Sequence, residues 1–453
     1  MSSPVATRIG PDSALPDGMP TDAQHFTMAV AKLGESHPVI ASKAIFNAKG
    51  IKIIDKGATI NLGLYERLMQ HQLAEPIENS VTSTFTVTGQ RLRSNAEEVL
   101  ASTPFFARMT ENAQIRRILL DAIETLPLPD PMAFQLTLAC EIYPEIYRRA
   151  LCAALTAAWL AHSSGGSRFD ICMAAAAGLL HDVGLLHVDP MLFQSKESLS
   201  RTQLRQLYAH PLVSNALIER HHQYTKEVVR AVLEHHEYLD GSGYPRNLVG
   251  SAISDLGRIL SLAEVVTAMF MPGQEASELR LSVILRMNLH RYDPALVVKL
   301  MCLIKPELDV MSAGISLLQE PVERLIEIDH LIADWPAGLM NLKALSAPRR
   351  EGLERLAAQV SQLHRALATV GVAPEQLAQI GSDSLDDMLK QELTLLAGEA
   401  AWQLRALARQ TRRRWRLTPD ETYPDELLLW LDQVEALVTD GANDQTPEEI
   451  GNP

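Results

Sequence analysis

The sequence predicts a mainly α chain, with a small α+β module ahead of a long helical body and a further helical region toward its C-terminal end. Three observations carry that expectation. Apolar residues recur at helical spacing from about residue 132 to 330 and again after 338. Extended, β-branched runs are confined to the stretch from Pro38 to about Thr88. Proline-rich breakers cut the helical pattern at Leu126-Pro127-Leu128-Pro129-Asp130-Pro131 and at Trp335-Pro336-Ala337-Gly338.

Taken in order, residues 1–24 are rich in Pro, Ser, Asp and Gly and read as a disordered leader. Residues 25–90 read as the α+β accessory module. Val39-Ile40 and Ala44-Ile45-Phe46 lead through Asn47-Ala48-Lys49-Gly50 into Ile51–Ile54, a hairpin pattern. Asn61 is placed to cap a short helix through His71, and Ser83–Val87 is again extended. The module shows no site chemistry of its own, so packing or dimerisation explains it better than ligand sensing. Residues 91–131 form a helical linker, with one helical stretch expected over 95–126. The body spans 132–330, and the C-terminal helical region spans 331–440, with Leu353, Leu356, Val360 and Leu363 on one face. Residues 441–453 are a polar, disordered tail.

A formal net charge of −14 argues against a nucleic acid polymer as partner. No run of about 18 uncharged apolar residues is present, so no membrane span is expected. The start, Met1-Ser2-Ser3-Pro4, lacks the basic-then-apolar layout of a secretory signal. Cys140, Cys152, Cys172 and Cys302 are scattered without CxxC spacing and read as reduced thiols, which suggests a cytoplasmic protein. Arg405, Arg409, Arg412, Arg413, Arg414 and Arg416, with Trp402 and Trp415, form the most basic run. A solvated helix face pairing with acidic neighbours accounts for it better than an anionic partner does.

The chemistry concentrates in one region. Half of the fourteen histidines, namely 181, 187, 210, 221, 222, 235 and 236, fall within 56 residues. They include the doublet His181-Asp182, the lone His210 and the pair His235-His236. Imidazole with a shared carboxylate is the ligand set of a divalent transition metal, and suits Fe, Mn or Zn better than Mg or Ca. His187, His221 and His222 fit the core or the surface rather than a metal shell.

The ordered series Leu179-Leu180-His181-Asp182-Val183-Gly184, His210-Pro211 and His235-His236-Glu237-Tyr238-Leu239-Asp240-Gly241-Ser242-Gly243-Tyr244-Pro245 resembles the HD-GYP family. These are bacterial metal-dependent phosphodiesterases of the HD superfamily that hydrolyse cyclic di-GMP. Arg258-Ile259 and Tyr292-Asp293-Pro294-Ala295-Leu296-Val297 extend the resemblance, which covers about residues 135–305. It implies a helical HD-superfamily domain at 132–330 holding one or two divalent ions (Fe, Mn or Zn). Asp182 would be the bridging ligand and, with His181, the catalytic pair. His181 and Glu264 would serve the first ion, and His210, His235 and His236 the second. Gly241, Gly243, Tyr244 and Pro245 would shape the substrate pocket. Two such ions can activate a water and hold a phosphodiester for in-line attack. The implied partners are a cyclic dinucleotide, signalling proteins and a second copy of the chain.

Four positions depart from the family pattern. Arg149 stands where an upstream histidine is usual, and its guanidinium is expected to pair with Glu145, four residues before it on one helix, or with Glu264. Leu185 replaces a phosphate-contacting lysine and can donate neither charge nor hydrogen bond. Glu264 replaces an aspartate, and the basic segment expected after Thr267-Ala268-Met269 is absent. Two readings follow: a cyclic-dinucleotide phosphodiesterase with reduced turnover, or a degenerate relative that acts as a nucleotide-binding or protein-interaction module.

Overall fold

The computed structural model describes residues 23–194, 199–271, 277–305, 321–335, 347–373, 377, 386–415 and 425–437. Nearly all of the expected leader and the whole of the tail lie outside the described residues, as do Pro272-Gly273 and the side chains of Arg413, Arg414, Trp415 and Arg416. The chain is mainly α, as expected, and divides into two compact units interleaved along the sequence. One comprises residues up to 88 together with 127–147 and 180–223; the other comprises 89–126, 148–179 and the chain from 224 onward.

The first unit contains the accessory module. Helix α1 (Ala23–Ser36) is followed by strands β1 (Val39–Ala41), β2 (Ile45–Phe46) and β3 (Lys52–Ile54), then α2 (Leu62–Met69) and β4 (Val81–Ser83). β2 and β3 form the expected antiparallel hairpin. The Asn47 side chain closes it by accepting from the backbone N–H groups of Lys49 and Ile51, at 3.0 and 2.8 Å. β1 does not join that hairpin; it pairs antiparallel with β4, with Ile40 opposite Thr82. Two hydrogen bonds between segments some forty residues apart hold the pairing. Ser42 N donates to Ser80 O and the Ser83 hydroxyl donates to Pro38 O, which tie the two segments at both ends. The extended run expected over 83–87 ends at Ser83, whose Oγ accepts from Phe85 N and turns the chain. Asn61 caps α2 as its position suggested, accepting from Leu64 N.

The same unit holds α6 (Asp130–Ile142), a 3₁₀ turn at Val183–His187, α9 (Pro190–Gln194), α10 (Arg201–Leu207) and α11 (His210–Glu219). α1, α6 and α11 all pack against the 3₁₀ turn. Phe26 of α1 is buried and lies flat on the His187 ring, with centroids 4.3 Å apart and planes 2° from parallel.

In the second unit the helical stretch expected over 95–126 is three helices: α3 (Gly89–Ser102), α4 (Pro104–Met109) and α5 (Ala113–Glu124). Thr103 and Asn112 cap α4 and α5 with their side chains, and Pro104 occupies the first turn of α4, where its missing N–H costs nothing. α7 (Pro144–Ser163) and α8 (Arg168–Leu180) run on from this region. They are followed by α12 (Lys226–Glu234), α13 (Asp255–Met269), α14 (Ser277–Met287) and α15 (Pro294–Met301). The C-terminal helices are α16 (Pro321–Asp334), α17 (Ala347–Thr369), α18 (Asp387–Trp415) and α19 (Asp425–Glu435). Leu353, Leu356, Val360 and Leu363 are all buried, in one apolar core with Leu279, Val283 and Met287 of α14. Burial of each leucine contributes on the order of 1.5–3 kcal/mol. This attaches the C-terminal helices to the rest of the unit as packed structure. Arg412 pairs with Asp432 and Glu435, as expected for a solvated basic face. The stretch Arg168–His187 has the length and hydropathy of a membrane span, but 83% of its most apolar window is buried, as in a core helix.

His187 generates a pH prediction. Burial, and then the nearby Arg220 charge, pull its imidazole from 6.5 down to about 4, and its Nε2 has no hydrogen-bond partner among the described residues. The unfolded chain takes up that proton near pH 6.5 while the fold resists it down to about pH 4. Stability is therefore complete above pH 6.5 and falls as the pH drops toward 4. Urea melts at pH 7 and pH 4.5 should show His187→Phe losing about 2–3 kcal/mol less than wild type between the two conditions. Identical losses would mean that this ring does not couple protons to folding.

Candidate metal and substrate site

His181 follows directly on the last residue of α8, and Asp182 occupies the cap position of the 3₁₀ turn Val183–His187. His210 is the first residue of α11, with Pro211 in its first turn. All three are buried at 0–2% exposure. The Asp182 carboxylate lies between two imidazoles: Oδ2 is 3.2 Å from His181 Nε2, and Oδ1 is 3.3 Å from His210 Nε2. Burial alone would push this carboxyl up; His181 and His210 outweigh it and hold Asp182 well below the usual carboxylate range.

Backbone geometry sets the ring orientation. His210 Nδ1 lies 2.7 Å from Leu207 O and donates its proton there, so Nε2 is the nitrogen that faces Asp182. Donating one ring N–H to a backbone carbonyl is the habit of a metal-ligating histidine. Gly184 makes the approach of α11 feasible: a Cβ there would lie 2.3 Å from His210 O, and its N–H donates to Ser214 Oγ at 2.8 Å. Asp182 thus has a buried imidazole beside each of its oxygens, and all three side chains are of metal-ligating type. Leu185, three residues on, is buried in the 3₁₀ turn at 7% exposure and fills apolar space where the family's lysine would carry charge.

In the second unit His235 ends α12 as its cap, and His236 follows it. Both are buried. His235 Nδ1 lies 2.6 Å from Val232 O, the same device that orients His210. The His236 ring contacts His235 at 4.1 Å and stacks on Tyr244 at 4.6 Å, 16° from parallel. Tyr244 N donates to His236 O, and a Cβ on Gly243 would come within 2.3 Å of that same oxygen. Gly241 has φ +79°, where a side chain would be strained. Gly241, Gly243, Tyr244 and Pro245 therefore sit in one tight loop beside the histidine pair, with Tyr244 buried against His236.

Two buried acids organise this loop, and the sequence reading passed over both. Glu237 accepts from Arg246 N at 2.6 Å and Leu248 N at 2.8 Å. Glu234 accepts from Arg230 Nε, Arg246 Nη2, Ser254 N and Ser254 Oγ at 2.6–3.0 Å. The signal available was Glu237 inside the motif and the Arg230/Glu234 spacing of four. Asp240 accepts from Ser242 N and Oγ, and its other oxygen faces His290 Nε2 at 3.5 Å. Burial, then the Arg291 charge, lowers the His290 pKa to about 4, with Asp240 opposing.

Glu264 lies on α13 and pairs with Arg149 of α7, both side chains being mostly buried. It belongs to no group of three metal-ligating side chains among the described residues. In the structure the Glu264 carboxylate, expected as a metal ligand, is engaged by the Arg149 guanidinium.

Comparison with known proteins bears directly on this site. The HD domain family model matches residues 149–296. Over 93 residues the chain is 33% identical to a 3'3'-cGAMP-specific phosphodiesterase (number 3) of Vibrio cholerae, covering 20% of each chain. It is 30% identical over 129 residues to a cyclic di-GMP phosphodiesterase of the same organism, covering 26% of each. It is 29% identical over 120 residues to the cyclic di-GMP phosphodiesterase response regulator RpfG of Xanthomonas campestris, covering 26% of this chain and 32% of that one. The chain thus spans between a fifth and a third of the length of these relatives, and residues 149–296, matched by the HD domain model, carry the HD doublet, His210, the histidine pair and the glycine–tyrosine–proline loop.

The loop geometry makes a stability prediction. Gly243→Ala should cost about 1–3 kcal/mol, because the new methyl group must displace the His236 carbonyl or the Glu237 backbone. Thermal melts of variant and wild type would measure it, and an unchanged midpoint would show that the loop is looser than its contacts imply.

Proposed function

We propose that this chain, through its HD domain, is a metal-dependent phosphodiesterase that hydrolyses a cyclic dinucleotide, cyclic di-GMP foremost, in bacterial signalling. The observation that carries the reading is the buried Asp182 carboxylate between the imidazoles of His181 and His210, in a domain whose relatives are named for cyclic di-GMP and 3'3'-cGAMP hydrolysis. Asp182, with ligands drawn from His181, His210, His235 and His236, would hold divalent Fe, Mn or Zn, their order along the chain being that of the family. The donor set fits such an ion: nitrogen ligands with their tautomers set by carbonyls, and an ionised carboxylate. When bound, the ion supplies Lewis-acid chemistry at a phosphodiester.

The remaining roles belong to the chain itself. Gly241 and Gly243 let the backbone of the loop close on the histidine pair. Tyr244, stacked on His236, and Pro245 present the wall on which a base or ribose would rest. The Arg149–Glu264 pair favours a single strongly held ion, since a buried guanidinium repels a second cation beside it. The free thiols of Cys140, Cys152, Cys172 and Cys302 are consistent with a cytoplasmic setting.

The test is cleavage of cyclic di-GMP by purified protein loaded with Mn or, anaerobically, with Fe. Asp182→Ala should abolish both metal retention and turnover, a loss of at least about 10³-fold. Binding of cyclic di-GMP without turnover under any metal would instead support a nucleotide-binding module. Elemental analysis gives a separate check on the ion pair. Wild type should retain about one ion per chain, and Arg149→His should raise the content toward two by freeing Glu264 and supplying an imidazole. Equal metal content in both proteins would remove Arg149 from the account.

A further inference from the structure

The loop Tyr238–Gly250 is tied, through a short path of hydrogen bonds, to a helix outside the matched HD-domain residues. Glu399 and Gln403 lie one turn apart on α18, both buried. Gln403 Nε2 donates to Glu399 Oε1 at 2.6 Å and to Asn288 Oδ1 at 3.2 Å. Asn288, fully buried just beyond α14, donates its own amide to Glu399 Oε1 at 3.2 Å and to Ile284 O at 3.0 Å. Its carbonyl accepts from Arg291 N at 2.9 Å, and Arg291 O accepts from Leu239 N at 3.0 Å. Arg291 also lies over the Tyr238 ring at 5.5 Å, and its guanidinium approaches Asp240. Leu239 O then accepts from Gly250 N at 2.9 Å, which closes the loop.

Stability alone does not call for a buried carboxylate and amide at these two positions. Leu396, Ala400 and Leu404 build an apolar core around them, and leucines would continue it. Apolar replacement of a buried polar set is often neutral or stabilising. What a satisfied polar network supplies that leucine does not is a unique orientation.

We propose that Glu399 and Gln403 are positioning residues. By fixing the Asn288 amide they set the turn Asn288–Arg291, and through Leu239 and Asp240 they hold the Tyr238–Gly250 loop in its substrate-binding shape. The inference rests on the reading of that loop as part of a cyclic-dinucleotide site.

The experiment uses the full chain. A Glu399→Leu/Gln403→Leu double variant breaks the network, while Glu399→Gln keeps a carbonyl oxygen able to accept from both amides. Amide hydrogen exchange over residues 238–250, measured without ligand, should be about tenfold faster in the double variant and near wild type in Glu399→Gln. The double variant should stay folded with a midpoint lowered only by the one Asn288 oxygen left unpaired, and its KM for cyclic di-GMP should rise about fivefold or more with kcat little changed. Wild-type exchange across the loop in a folded double variant overturns the proposal. If the leucine pair does not fold, Gln403→Met, which removes one amide only, carries the same comparison. A wild-type chain that neither binds nor cleaves cyclic di-GMP overturns the functional reading, and the exchange measurement then decides the coupling by itself.

Discussion

A carboxylate at 2% exposure that stays ionised is the constraint around which the His181–His210 region is organised. An isolated buried charge is too costly for a fold to carry, so Asp182 must be met by positive charge or by donors on both oxygens. Two imidazoles meet it. That demand sets the positions of several elements at once. α8 must end at Leu180 so that His181 and Asp182 leave the helix. α11 must begin at His210, and Gly184 must lack a side chain for α11 to come close enough. A site that already concentrates ligand lone pairs around an anionic centre gains most from a divalent cation, because the ion satisfies every member of the set together.

The second unit solves the same problem differently. Glu234 and Glu237 are buried acids met by backbone N–H groups and arginines, and the result is a loop rather than a ligand set. Glu264 is met by Arg149. A guanidinium is always charged and has no lone pair to offer, so it neutralises a carboxylate without becoming a ligand. An imidazole can exchange its proton for a metal. The contrast between Asp182 and Glu264 is therefore a contrast between a site that can take up a cation and one that carries its own.

The helical class, the hairpin at 45–54, the Asn61 cap and the apolar face of α17 were legible because each depends on local chemistry: periodicity, turn residues and a capping side chain. The pairing of β1 with β4 was not, since it is set by Ser42, Ser80 and Ser83 across some forty residues. The break of the 95–126 helix was present in Thr103-Pro104 and Asn112, cap signals that periodicity masked. At the site, the doublet and His210 were legible as a motif. Glu264 was legible as one of two partners for Arg149, because the family's offsets from the doublet and the histidine pair mark both positions although they are 115 residues apart; helical spacing alone would have chosen Glu145. The signals of Glu234 and Glu237, the Arg230/Glu234 spacing of four and a place inside the motif, were outweighed by the two histidines beside them.

The accessory module shows why absence of site chemistry is a weak guide to position. Its own residues offer no cluster to bind a ligand, yet Phe26 of α1 lies flat on His187, and His187 closes the 3₁₀ turn that Asp182 begins. α6 and α11 pack on the same turn. Val183, Gly184, Leu185 and Leu186 of this turn are all buried, so its backbone is fixed by what packs on it. The backbone that aims Asp182 is thus held by three helices, one from the accessory module, one from the segment after the proline breaker and one that starts with His210. An apolar stack with no chemistry in it is as much a part of that aim as the imidazoles are.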